Sequence, residues 1–168
     1  MNRRSILSIS AITVLGLALL QTSTVAQQKT LKEQLVGSWT LVSQEFTAPN
    51  GTKRQIANSQ GTLIFDAGGR YAFVSGSKDR PKFKSASQPT TEELAAATLD
   101  YFAANFGTWS VSEADKTLTQ RYEGALRPNN EGTDVRSSIS LAGDDLKLTS
   151  LVALPTGNRI EWVFRRAK

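Results

Sequence analysis

The chain has no cysteine and no histidine among its 168 residues. The first absence removes thiolate nucleophiles, disulfides and any lipid anchor built on an N-terminal cysteine. The second removes Ser-His-Asp and Cys-His catalysis, and the two together exclude the usual nitrogen and sulfur zinc sites. Strong charge of one sign is lacking too. The formal net charge is +5, from 20 Lys and Arg against 15 Asp and Glu. Without Arg3 and Arg4, which belong to a removable leader, 18 bases face the same 15 acids and the balance is +3. No basic stripe with interleaved aromatics is present, so no nucleic-acid partner is expected. No phosphate loop and no carboxylate cluster appears either, and the sequence calls for no metal and no cofactor.

What is present begins with an address. Met1-Asn2-Arg3-Arg4 is a short basic start, and Ile6 to Leu20 is an apolar run diluted by Ser8, Ser10, Thr13 and Gly16. Thr24-Val25-Ala26 then offers small residues for cleavage. The apolar run is shorter than the roughly 18 residues of a spanning helix. Residues 1–26 therefore read as a signal peptide, 27–34 as an N-terminal segment and 35–168 as one domain. Export to the periplasm or the medium is expected, with no stable membrane anchor after cleavage. Arg3-Arg4-Ser5-Ile6-Leu7 also resembles the twin-arginine pattern, so two export routes stay open. The oligomeric state is open as well.

Thr30 to Leu35 suits a short helical turn that plugs one end of the domain. From Ser38 onward the pattern is β. Strands are expected over 38–46, 61–65, 71–75, 108–111, 117–123, 133–141, 146–152 and 159–165. In the first, Trp39 and Leu41 share one face, with Val42 and Phe46 on the other. Turn residues separate the runs, including Pro49-Asn50-Gly51, Asp66-Ala67-Gly68-Gly69 and Pro155-Thr156-Gly157-Asn158. One helix is expected near residues 91–105, opened by Thr90 or Thr91 with Glu92 and Glu93 and carried by Leu94, Thr98, Tyr101 and Phe102. About eight alternating strands joined by short turns make an all-β antiparallel meander. A lone sheet of that size closes into an up-and-down barrel.

Several segments carry a family resemblance. Leu35-Val36-Gly37-Ser38-Trp39 holds a Gly-x-Trp element, and Leu63 to Tyr71 forms a characteristic hairpin. Asp79-Arg80-Pro81-Lys82-Phe83, Phe106-Gly107-Thr108-Trp109 and Glu123-Gly124-Ala125-Leu126-Arg127-Pro128-Asn129 follow in order. Together they resemble the bacterial and fungal lipocalin-like domain family, a calycin-like barrel. The family often has a His pair before the Glu-Gly element and a Trp after Pro-Asn. Gln120, Arg121 and Asn130 stand there instead, so any role that needs imidazole is lost. The resemblance implies a barrel that holds a small apolar or amphipathic ligand, and it implies barrel closure by Gly37 and Trp39 with Arg166 or Arg165 stacked on the indole.

Tyr71, Phe73, Trp109, Tyr122 and Trp162 are strand aromatics suited to lining a cavity, with Gln120 as a polar handle. Arg80 and Phe83 lie in a long segment expected to cross the barrel mouth, where Arg80 suits a ligand carboxylate. Arg121, Glu123 and Arg136 read as an outward ion-pair group. The leading expectation is a ligand binder rather than an enzyme, with no catalytic residue assigned. Two alternatives stand beside it. One is an isomerase or cyclase that uses Tyr122 and Glu123 for proton transfer. The other is a filled barrel that binds a protein through its surface. Protein recovered from the exported fraction is expected to begin at Gln27, which intact-mass measurement checks; a mass that retains Arg3 and Arg4 would refute the cleavage.

Overall fold

The computed structural model describes residues 29–100, 102–153 and 157–168. The expected signal peptide and its junction at Ala26 lie outside the described residues, as do Tyr101 of the expected helix and Pro155-Thr156 of the last turn. The elements run α1 (Leu31–Leu35), β1 (Gly37–Thr47), β2 (Lys53–Gln55), β3 (Ser59–Phe65), β4 (Arg70–Ser77), α2 (Thr91–Ala95), β5 (Phe102–Ser112), β6 (Thr117–Ala125), β7 (Asp134–Ala142), β8 (Asp145–Ser150) and β9 (Arg159–Arg166). A π-helical turn, Ala96–Asp100, extends α2. From β3 to β9 each strand pairs with the next in chain order, β3 pairs with β1, and β1 closes the ring against β9. The result is an eight-stranded antiparallel barrel, with β2 as a short extra strand on the far half of β1.

The helix near residues 91–105 is present and shorter than its periodicity suggests. Thr90 and Glu93 form a reciprocal capping box that starts it. Residues 102–105 leave it for β5, where Phe102 to Thr108 pair with Gly76 to Arg70. The alanine-rich run favours helix locally, but the open edge of β4 offers a full ladder of backbone hydrogen bonds, and tertiary pairing overrides the weak propensity.

A second departure lies in β1. The register against β9 shifts between Leu41 and Ser43, so one extra residue bulges out. Trp39 and Leu41 face the core, and Val42 is 50% exposed. Beyond the bulge Phe46 pairs with the buried Ile160. Cross-strand partners share a face, so Phe46 lies on the core side and not with Val42.

The floor of the barrel is built from its two ends. Thr30 caps α1 through a capping box with Glu33. The first N–H groups of the helix, on Leu31 and Lys32, donate to the Glu113 carboxylate, both at 3.0 Å. Leu35 and Trp39 are fully buried, and the Trp39 indole N–H donates to the Leu35 carbonyl at 2.8 Å. The Arg166 guanidinium lies 4.1 Å from the centroid of the Trp39 ring. It also donates to the carbonyls of Val36 and Gln34, which satisfies acceptors at the end of α1. Gly37 sits beneath it at φ +125°, where a Cβ would stand 3.3 Å from the guanidinium. Trp39→Ala is expected to lower stability by about 3–5 kcal/mol, the usual range for emptying a buried aromatic site, which chemical denaturation of the purified variant measures.

Candidate functional site

Strand alternation turns one residue in two toward the barrel axis. At the floor end Phe65 and Trp109 pack with ring centroids 4.6 Å apart. Contacts then climb through Tyr71 to Tyr122, at 6.3 Å. Two residues further along β4, Phe73 meets Phe164 and Trp162 of β9 edge-on, at 6.1 and 6.4 Å. Tyr71, Gly107 and Tyr122 occupy one register row, so the missing side chain at 107 leaves the two tyrosines a shared space. A Cβ on Gly107 would also stand 1.9 Å from the Arg121 carbonyl, at the point where β6 bulges.

Among these side chains remains a cavity of about 20 Å³. Leu63, Phe73, Leu148 and Phe164 give it apolar sides, and Asn105, Gln120, Tyr122 and Trp162 give it polar ones. That volume has room for roughly one water. Three polar atoms in this interior are shielded from solvent and have no hydrogen-bond partner: Tyr71 Oη, Asn105 Oδ1 and Trp162 Nε1. Gln120 is only 8% exposed. A buried polar group without a partner costs about 1–3 kcal/mol, and folded proteins keep few of them. Here a donor, an acceptor and a hydroxyl that can be either stand unsatisfied around one interior. Burial also pushes both phenols up: Tyr122 to about 12, and Tyr71 further, with the neighbouring Tyr122 and Glu123 adding to the effect. Both are neutral donors at physiological pH.

The cavity thus brings together Phe73, Gln120, Tyr122 and Trp162, with Tyr71 beside them. Trp109 faces inward but belongs to the floor, where its indole N–H donates to the Asp66 carbonyl at 3.2 Å and Lys32 lies over its ring. Arg80 and Phe83 stand apart from the cavity. Arg80 does not reach over the mouth into the barrel; it stacks on the Phe102 ring at 5.1 Å from the outside. Asn105 escaped sequence reasoning because it falls within the expected helix. Its signal is the alternation Ala103, Asn105, Gly107, which is visible only once β5 is known to begin at Phe102.

Glu123 points outward. Its carboxylate pairs with Arg70 at 2.7 Å, not with its strand neighbour Arg121, which pairs with Asp134 at 3.1 Å. The Arg70 hydrogen bond, reinforced by the charges of Arg70 and Arg121, holds the Glu123 carboxyl below the usual range. An ionised, paired, outward carboxylate has no access to a substrate in the barrel, so Tyr122 faces the cavity without a carboxylate partner from this pair. Among the described residues no three His, Cys, Asp or Glu side chains gather into a metal site.

Residues 36–166 match the family model described as the lipocalin-like domain. The chain belongs to that family. No curated protein matches it. Similar solved structures include a lipocalin-like protein from Bacteroides uniformis ATCC 8492, with 15% identity over 79% of this chain and 98% of that one and a TM-score of 0.41. An uncharacterized protein from Bacteroides eggerthii DSM 20697 shows 12% identity over 79% and 99% of the two chains, with a TM-score of 0.42. A point mutant of the fluorescent protein UnaG shows 12% identity over 80% and 97%, with a TM-score of 0.36.

In this lipocalin-like domain the raised phenol pKa values link stability to alkaline pH. A phenol that is harder to ionise when folded holds its proton after the unfolded chain has lost it. Its contribution is complete below the ordinary tyrosine value of 10.0 and is lost as pH rises towards about 12. Denaturation midpoints are expected to fall steadily from pH 9.5 to 11.5, and Tyr122→Phe to flatten that slope. An unchanged slope in the variant would remove Tyr122 from the linkage.

Proposed function

We propose that this lipocalin-like domain works outside the cytoplasm as a binder of one small, mostly apolar molecule with a polar end, held inside the barrel. The supporting observation is that Asn105 Oδ1 and Trp162 Nε1, from residues lining the cavity, and Tyr71 Oη beside it are buried and unpartnered next to the apolar sides formed by Leu63, Phe73, Leu148 and Phe164. Apolar walls with a few convergent polar groups are the usual composition of a small-molecule pocket. The signal-peptide layout of residues 1–26 supports the location, and family membership supports the use of the interior. The free volume is far below that of an open pocket, so binding is coupled to displacement of side chains. Trp162 and Tyr122 are the rings to move, because both border the cavity and neither is fully buried. The filling groups of the ligand-free barrel then give way to the ligand.

A second reading has an observation of its own. On the outer face of β3, β4 and β5, Ile64, Ala72 and Phe106 form one cross-strand row, and Val74 and Ala104 pair in the row above. Ile64 and Phe106 are 42% and 51% exposed. A filled barrel with an apolar outer wall suits protein contact.

Asn105→Leu separates the two. In the ligand-binding reading it relieves an unsatisfied amide, so stability of the empty protein is unchanged or rises by about 1 kcal/mol. The same substitution weakens retention of the molecule that native mass spectrometry finds on the wild-type protein. Loss of the reading would follow if no small molecule is retained from any host extract and a panel of fatty acids, retinoids and tetrapyrroles leaves the Trp162 emission unmoved.

A further inference from the structure

A space larger than the barrel cavity lies outside the barrel. A groove of about 290 Å³ lies at the mouth, on the outside of β3, β4 and β5. Gln60, Gly76 and Phe102 form one register row on three adjacent strands. Ser75 is buried in the interior, so strand alternation turns Gly76 outward with its two partners. The absence of a side chain at 76 leaves a trough between the Gln60 amide and the Phe102 ring. Gly76 is not among the glycines held at positive φ, so the backbone does not require glycine there.

The loop that leaves β4 folds back over this trough. The Arg80 N–H donates to the Ser77 carbonyl, and its guanidinium then lies over Phe102 with 5.1 Å to the ring centroid. Stacking occupies the flat face of the guanidinium and leaves the N–H groups on its edge free to donate. Arg80 and Lys78 both line the groove, and neither forms an ion pair among the described residues. Asp79, the acid between them, accepts a hydrogen bond from Asn58 Nδ2 at 2.7 Å. The Ser77 hydroxyl accepts from the Asp79 N–H at 3.0 Å, which leaves its own proton to give. Four cations, Lys78, Arg80, Lys82 and Lys84, follow within one short loop.

We infer that this groove is a second binding site, separate from the barrel interior, for a small planar molecule that carries a carboxylate. The Phe102 ring and the trough at Gly76 take the flat apolar part. The edge of Arg80 takes the carboxylate, with Lys78 as a second charge and the Ser77 hydroxyl and Gln60 amide as neutral partners. The planar guanidinium fits a carboxylate in a two-pronged geometry. The site needs no opening of the barrel, so it fills without any change at Trp162 or Tyr122.

The test is amide NMR of the isotopically labelled, purified protein, titrated with 2-naphthoate and, separately, with uncharged 2-naphthalenemethanol. Saturable shifts are expected at Gly76, Ser77, Lys78 and Phe102 with naphthoate, and binding roughly ten-fold weaker for the alcohol. Arg80→Gln should cost a similar factor while the spectrum elsewhere stays that of the folded wild type. Gly76→Val should fill the trough and abolish the shifts. Three results overturn the inference: shifts confined to the interior residues Gln120, Tyr122 and Trp162, equal affinity for acid and alcohol, or full affinity in Arg80→Gln. Interior ligand binding is read from other amides in the same spectra, so the failure of one site does not count against the other.

Discussion

The guanidinium of Arg166, laid on the Trp39 indole, joins the three parts that make the barrel closed. It belongs to the last strand, rests on a side chain of the first, and donates to two carbonyls at the end of α1. Each partner solves a problem for another. The helix end has orphan carbonyls, the partly shielded cation needs acceptors, and the indole needs a lid. Removing any one of them leaves a buried group without its complement, which is more costly than never having built the contact. Gly37 belongs to the same arrangement, because a side chain at its φ of +125° would be strained and would crowd the fork.

The opposite end of the barrel is built with less closure. The floor satisfies its polar atoms within the protein: the Trp39 and Trp109 indoles both have carbonyl acceptors. Higher up, Trp162, Asn105 and Tyr71 have none. The contrast between two tryptophans with partners and one without, on the same barrel, separates the half whose polar groups are satisfied from the half where buried polar groups stay unpaired. A uniformly structural interior would have apolar residues at those positions, since an unpaired amide is worse for stability than a leucine of similar size.

The strands and their turns were legible because alternation and glycine-rich punctuation are local signals. Ser38 to Phe46, Tyr71 to Ser75 and Arg159 to Arg165 all lie in observed strands. Four features were not legible, and each depends on contacts made far away along the chain. The bulge after Leu41 reverses the facing of Phe46, and a single inserted residue leaves no mark in a period-two pattern. Asn105 was hidden because Ala95 to Ala97 and their neighbours suit a helix, while the decisive partner, the edge of β4, lies far away along the chain. Arg80 was recognisable as a loop cation, but the direction in which its loop folds depends on Phe102, which local reasoning placed in that helix. Side-chain packing density is a property of the assembled barrel, so the small size of the cavity could not be read from the sequence either.

The pairing of β1 with β9 has a consequence for how the molecule comes into being. The Arg166 contacts to Val36 and to Gln34 of α1 span 130 and 132 residues, nearly the full length of the described chain. While the protein emerges residue by residue, β1 has β3 on one side and an unprotected edge on the other until the final strand is delivered. Hairpins can zip early, but the ring cannot shut before β9 has emerged to meet β1, and contacts of such high sequence separation form slowly. During that interval the apolar interior and an open strand edge are exposed together, the combination most prone to misassociation. A chain interrupted before β9 would keep the pairings from β3 to β8 and yet remain an open, curled sheet, because β1 would have no partner on its second edge.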